Sequence, residues 1–375
     1  MDILLTILIA TLVLGFLVFI HEGGHFLAAR AFGVRVSEFM IGLPGPSIGV
    51  TWKGTRFGVT AVPLGGYAAV CGMGTGTPSP HLKAMLGYMY AHGTADMEDV
   101  ADALGITDDE AYQALEELTE WGSLKRPTRK DKLNTYRTPA CLVSGVKYAE
   151  GTPREVPNLN EFFASEQKQQ YCMLPFWKRI TILLAGPFMN LLYAMIVFVI
   201  IYSIIGVDVQ MQSGEVVHYV LAPFDAIVAG FKYIGMVAVA ILGLFNPATA
   251  ADTVANSTSI VGIAVLSKTA FEAGFISLLS FSAVISVSLG LANLLPIPPL
   301  DGSHALNLAV SALFGPLVGD AVAALAGVLC SLALLGGGVY LYVQTRGGAL
   351  VIFAALALLL SALKELRLAR RAIKV

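Results

Sequence analysis

Long apolar runs alternate along the chain with stretches of a different period, and that alternation predicts the elements. Residues 3 to 31 form the first run, long enough for a spanning helix of about 20 residues with some tilt. It closes on Phe19-Ile20-His21-Glu22-Gly23-Gly24-His25-Phe26, where three polar side chains interrupt an otherwise unbroken apolar pattern. From Gly33 to Met73 the period shortens to two, as in Val34 to Phe39 and Phe57 to Val62, with Gly and Pro between the runs. That texture predicts a small membrane-associated β region.

Residues 74 to 79 read as a linker, and residues 80–140 as a soluble insert. Within it, His81 to His92, Met97 to Leu104 and Asp108 to Trp121 have helical patterns closed by Gly93, Gly105 and Gly122, with Thr94 and Thr107 at cap positions. A basic β-like stretch, Leu124 to Thr138, follows, so the insert is expected to be winged-helix-like. Residues 141–177 read as an irregular connector containing the polar run Ser165 to Gln170. Later apolar runs cover Ile180 to Ile205, Phe275 to Leu295, Val318 to Val343 and Gly348 to Leu363. The expected fold is therefore a polytopic α-helical membrane protein of about five spanning helices with a small sheet and one insert. Ala222 to Phe245 is also apolar, but Asp225 and Lys232 interrupt its first half.

Composition narrows the class. At 375 residues, 56% hydrophobic, 13% charged and mean hydropathy +0.71, the chain is too apolar for an ordinary soluble protein. The first run has Asp2, no basic start and no small-residue cleavage site, so it is expected to be retained. Cys71, Cys141, Cys172 and Cys330 show no CxxC spacing, which fits neither a disulfide framework nor a thiolate metal site.

The candidate chemistry starts at HEGGH. Residues four apart share a helix face, so His21 and His25 can present two imidazoles to one ion while Glu22 handles protons. An ionisable group at a membrane helix centre costs roughly 2.5–3.5 kcal/mol, so three within one turn imply a compensating partner. A second polar cluster ends the run Phe275 to Leu295, in Asn293-Leu294-Leu295-Pro296-Ile297-Pro298-Pro299-Leu300-Asp301-Gly302. Prolines there free backbone groups, which membrane depth tolerates only beside protein or a water-filled cavity. Asp301 would complete a set of two histidines and one carboxylate around Zn2+, leaving a fourth position open. Both clusters end their runs, so the two helices must point the same way. A crossing by 222 to 245 would separate them, and that segment is expected to lie along the surface or dip in without spanning. Asn190, inside Ala185 to Asn190, needs a polar partner within the bundle. Gly65, Gly66 and Tyr67 sit where a strand edge could hold an extended substrate.

Charge decides two further points. The third helix of the insert carries Asp108, Asp109, Glu110, Glu116, Glu117 and Glu120 and no Lys or Arg, so it would repel phosphate. No nucleic acid is expected there, and a cytoplasmic protein partner or regulator is. Lys364, Arg367, Arg370, Arg371 and Lys374 place the C-terminus in the cytoplasm, which puts the N-terminus outside and the insert inside.

These motifs, together with Gly33 to Pro46, PLGGY at 63 to 67 and AGPFMN at 185 to 190, resemble the site-2 protease family of intramembrane zinc metalloproteases, in particular its bacterial regulator-of-sigma branch. The resemblance covers most of residues 1 to 73 and 176 to 310. It implies zinc ligands His21, His25 and Asp301, general base Glu22, a substrate-contacting loop with Asn293, Pro296 and Pro298, and a substrate-holding edge at Gly65 to Tyr67. It also implies as substrate a single-pass transmembrane protein already shortened by another protease. Three departures stand out: residues 206 to 274 leave no room for the branch's usual PDZ domain, Ser288 stands where Asn is common, and Ser303 where Gly is common. A divalent-metal transporter or a catalytically inactive membrane adaptor would use the same polar groups differently.

Overall fold

The structure, a computed structural model, describes residues 2–62, 65–73, 78–128, 131, 134–143, 146–211, 214–245, 249, 260–345 and 349–374. Most of the expected linker, part of the basic wing and the turn before the last apolar run lie outside these residues. The bundle is built on α1 (Asp2–Ala31), α6 (Phe176–Val199, continued by a wider π-type stretch, Ile200–Ile205) and α9 (Phe275–Asn293). Gly33, at φ 79°, lets the chain turn back after α1, and its N–H caps the Arg30 carbonyl.

Four contacts fix the sense of these helices. Phe16 of α1 meets Tyr193 of α6 with ring centroids 5.5 Å apart, and further along His25 Nδ1 lies 2.8 Å from the Ile182 carbonyl. On α9, Ser282 Oγ is 2.7 Å from the Tyr193 hydroxyl and Ser286 donates to the Asn190 carbonyl at 2.9 Å. Rising numbers on α1 and α9 both meet falling numbers on α6. The two helices therefore run parallel to each other, as the clusters at their ends require.

A four-stranded sheet follows α1: β1 (Val36–Ile41), β2 (Ser47–Trp52), β3 (Thr55–Thr60) and β4 (Gly66–Val70), in the order β2-β3-β1-β4. β1 pairs parallel with β3 and antiparallel with β4, which leaves β4 as an edge strand. Val34, Val36 and Val70 pack with Ala29, Ile182, Leu183 and Leu308, so the sheet is seated on the α1–α6 pair at the end that carries the histidines.

The insert has its own core. It comprises α2 (Leu82–His92), β5 (Thr94–Asp96), α3 (Met97–Leu104), α4 (Asp108–Glu120) and β6 (Thr135–Arg137), with β5 and β6 antiparallel. Met85, Leu86, Met89, Leu115, Leu118 and Trp121 are fully buried in it. Thr107 caps α4 in a reciprocal capping box with Glu110. Thr94 caps nothing: it belongs to β5, because pairing with β6 claims its backbone.

The connector is more ordered than its composition suggests. It holds the hairpin β7 (Cys141–Val143) and β8 (Val146–Tyr148), then α5 (Leu159–Gln167). Glu166 of α5 is 5% exposed and grips Arg35 with two bonds of 2.9 Å, while Ser123 of the insert donates to the same carboxylate at 2.5 Å. Arg35, just after α1, also donates to the Trp121 carbonyl at 3.3 Å. One buried ion pair thus ties sheet, connector and insert together.

Beyond α6 come the hairpin β9 (Val207–Gln210) and β10 (Val216–Tyr219), α7 (Pro223–Gly243) and α8 (Ile260–Glu272). α7 does not lie along the surface as expected. Leu221 N–H meets the Tyr202 carbonyl, Tyr233 meets Phe198 with centroids 5.4 Å apart, and Gly230 faces Met195, so α7 stands antiparallel against α6. The polar interruptions do not prevent this, because Ala226, Gly230 and Tyr233 form an apolar face on the α6 side. α1 and α9 nevertheless run parallel by the contacts above, and α8, which precedes α9 in the chain, packs on both. The described residues contain five helices long and apolar enough to cross a membrane, Ile3–Ala31, Phe176–Ile205, Pro223–Gly243, Phe275–Asn293 and Pro316–Tyr340. The number agrees with expectation, but the membership does not: Pro223–Gly243 is gained, and the expected last span, Gly348 to Leu363, is not among the five. The chain ends with α10 (Asp301–Phe314), α11 (Pro316–Thr345) and α12 (Ala349–Lys374), whose second half is charged.

Removing one partner of a buried ion pair costs about 3–5 kcal/mol, more than replacing both. Glu166→Ala is therefore expected to lower the melting temperature in detergent and expose the insert to limited proteolysis, and Arg35→Met with Glu166→Met to recover much of the loss.

Candidate metal centre

α1 places His21 and His25 one turn apart on the face toward α6, where they are 7% and 8% exposed. The turn after α9 brings the chain back so that Asp301 begins α10 beside them. That return is tight: a Cβ on Gly302 would collide with the carbonyls of Leu294 and Leu295. His21 Nε2 lies 3.0 Å from Asp301 Oδ2, His25 Nε2 lies 3.4 Å from the same oxygen, and the two Nε2 atoms are 3.4 Å apart. Four donors at 2.0–2.2 Å from a tetrahedral zinc ion stand about 3.3–3.5 Å from one another, so the three atoms already approximate three corners of that polyhedron. Among the described residues this is the group of His, Cys, Asp and Glu side chains close enough to share an ion.

The outer contacts agree with a metal on the Nε2 atoms. His25 Nδ1 faces the Ile182 carbonyl at 2.8 Å, which fixes its proton on Nδ1 and frees Nε2. Asn190 Nδ2 stands 3.2 Å from His21 Nδ1, while Asn190 Oδ1 is buried with no hydrogen-bond partner. Rotating that amide by half a turn gives the orphaned oxygen an N–H to accept once His21 uses Nε2 as a ligand. The predicted polar partner of Asn190 is thus His21, and Ser286 holds the Asn190 backbone from α9.

Glu22 points from α1 toward the sheet and accepts a hydrogen bond from the Ala68 N–H of β4 at 2.9 Å. Gly66 packs on the same stretch of α1; a Cβ there would lie 2.5 Å from Val18 Cγ1 and 3.4 Å from Glu22 Cγ. Gly65, at φ 88°, turns the chain into β4. Tyr67 faces the other way, its hydroxyl donating to Glu38 at 2.8 Å. Burial and the Glu38 carboxylate push that phenol up to about 12. The proline loop is mixed. Asn293 bonds back to the Leu289 carbonyl of its own helix at 3.0 Å, Pro296 is half-buried, and Pro298 is buried where a Cβ on Gly327 of α11 would strike it. Two of the three therefore have packing or helix-capping contacts in this arrangement.

The small residues of Ala185 to Pro187 suit close helix packing, as their sequence suggests, whereas Gly24 was not singled out in advance. A Cβ on Gly24 would run into the Ala185 carbonyl, and one on Gly186 into the His25 ring. The sign of Gly24 was the run of small residues in HEGGH. The Ala68 amide left no sign, since any residue but proline supplies it.

An apolar helical bundle that buries an HExxH pair beside a carboxylate from a second helix defines an intramembrane metallohydrolase class. The profile of Peptidase family M50 matches residues 9–335, and the chain belongs to that family, the site-2 proteases. It is similar to the zinc metalloprotease RasP of Bacillus licheniformis, 24% identical over 401 aligned residues covering 83% of this chain and 91% of the relative. A zinc metalloprotease assigned by inference in Agrobacterium fabrum (Atu1380) is 28% identical over 332 residues, covering 82% and 86%. Another so assigned in Helicobacter pylori J99 is 27% identical over 321 residues, covering 82% and 89%. The donor set and the family agree on Zn2+ as cofactor.

Removing a residue that orients a metal ligand typically costs 10–100-fold in metal affinity. Asn190→Ala is expected to weaken zinc binding by about that factor in a competitive chelator titration, with the helix content unchanged.

Proposed function

We propose that the chain hydrolyses peptide bonds within transmembrane segments of single-pass membrane proteins already shortened by another protease, as in regulated intramembrane proteolysis. The convergence of His21, His25 and Asp301 beside Glu22 carries this reading, since it unites three ligands, an open position and a base at one depth in an apolar bundle. His21, His25 and Asp301 are assigned as zinc ligands and Glu22 as the general base. When bound, the ion supplies Lewis acidity that polarises the scissile carbonyl and acidifies water. Glu22 takes a proton from that water and delivers it to the departing amide nitrogen, a transfer between points a few ångströms apart in the shielded site.

A transmembrane helix has its amides paired internally and must be opened before cleavage. The outer edge of β4 can hold it open, because β4 has β1 on one side only and its Ala68 amide opens toward Glu22. Gly66 keeps that edge close to α1, and Asn293 and Pro296 are assigned to the substrate-contacting loop. The N-terminus is assigned to the outside and the insert and basic C-terminus to the cytoplasm, following the charge bias of the tail. The insert is read as a winged-helix-like protein-interaction module: its α4 is acidic, and Glu110 spends its carboxylate on capping. Family membership favours hydrolysis over metal transport or an inactive adaptor.

Glu22→Gln is expected to cut turnover of a reconstituted single-pass reporter by at least about 10²-fold, the lower end of what a general base contributes, with zinc content unchanged. Retained turnover in that variant would refute the role of Glu22.

A further inference from the structure

β4 does not stop at the metal centre. From Ala68, beside Glu22, it runs on through Ala69 and Val70, and these residues line a cavity of about 410 Å³ whose far wall is the insert. Glu38, Ala69 and Val70 stand on the sheet side; Thr119, Lys125 and Arg126 stand on the insert side. The volume falls in the range of ligand sites, about 300–1,000 Å³. The walls are held at a fixed separation. Arg35 binds Glu166 and the Trp121 carbonyl at once, and a Cβ on Gly122 would lie 3.1 Å from Arg35 Cδ and 3.4 Å from Cys71 Sγ, so the insert touches the sheet directly.

A strand advances about 3.3 Å per residue, so Ala69 and Val70 lie only one and two residues beyond the amide at Glu22. An extended chain paired with the β4 edge would leave the metal centre and enter this cavity within a few residues of the cut. The lining carries two carboxylates, Glu38 and Glu120, and two cations, Lys125 and Arg126, which differ in how they are engaged. Glu38 is engaged by the Tyr67 hydroxyl at 2.8 Å and by Arg56 at 3.8 Å. Across from it Lys125 is exposed, and exposed Arg126 pairs with Glu116 at 2.9 Å; Glu120 lies at the end of α4 on the same wall.

We propose that the cavity between β4 and the insert is a subsite for the substrate residues that flank the cut on the insert's side, holding them extended and favouring an acidic side chain opposite Lys125. The proposal rests on the protease reading above and gives the insert a part in substrate selection. The full-length protein in proteoliposomes is offered three single-pass reporters that share one apolar segment and carry no flank, an acidic flank or a basic flank on the insert's side. Thr119→Trp fills the cavity and Lys125→Glu reverses the charge at its rim; neither residue belongs to the metal centre. Thr119→Trp is expected to raise KM for the flanked reporters about tenfold, as occlusion of a pocket does, with kcat and the flankless reporter within twofold. Lys125→Glu is expected to shift the acidic-over-basic preference by about two- to fivefold, the worth of one exposed charge pair. Equal effects of Thr119→Trp on all three reporters, or none on any, would overturn the subsite while leaving the protease intact. Failure of the wild-type protein to cut any reporter would instead remove the protease reading, and the subsite with it.

Discussion

Everything in this molecule is arranged around the cost of placing two imidazoles and a carboxylate within about 3.4 Å of one another inside apolar surroundings. Such groups cannot stay charged and unpaired at membrane depth. An ion that accepts electron density from all three resolves the conflict, and the surrounding contacts are oriented for it. The Ile182 carbonyl and the Asn190 amide each address the ring nitrogen that a metal would leave over. α1 and α9 point the same way so that residues nearly three hundred positions apart arrive at one depth.

Close approach is achieved with small side chains. Gly24 lies on the Ala185 backbone, Gly186 under the His25 ring, Gly290 on the Pro187 carbonyl and Gly302 on the turn after α9. In a bundle surrounded by lipid, apolar burial supplies little drive between helices, and backbone contact with interhelical hydrogen bonds replaces it. The bonds from Ser282 to Tyr193 and from Ser286 to Asn190 are of this kind. Outside the bundle the logic reverses. The insert folds on a conventional apolar core and is fastened to the sheet by the Arg35–Glu166 pair. That pair gives the cavity beside β4 a defined shape, which a loosely tethered domain would not.

Much of this was legible in the sequence because the signals were local. HEGGH puts two imidazoles and a neighbouring carboxylate on one turn by helix period alone, and Asp301 is flagged by the proline-broken end of another apolar run. Gly93, Gly105 and Gly122 all take positive φ where helices of the insert close, as their positions suggested. The failures were of tertiary origin. Ala222 to Phe245 was expected along the surface or dipping in without spanning, because a crossing there would separate Asp301 from the histidines, yet its Ala226–Gly230–Tyr233 face is complementary to α6. The run Ser165 to Gln170 read as loop, although Glu166 holds α5 in place through a residue about 130 positions earlier. The packing of Pro298 against Gly327 of α11 is likewise a contact that no single-chain pattern encodes.

X-ray absorption at the zinc edge on the purified protein bears most directly on the central claim. One zinc per chain is predicted, with two imidazole nitrogens and carboxylate oxygen at about 2.0–2.2 Å, and Asp301→Ala should lose that oxygen and most of the metal. A spectrum unchanged by Asp301→Ala, or zinc coordinated by sulfur, would contradict it.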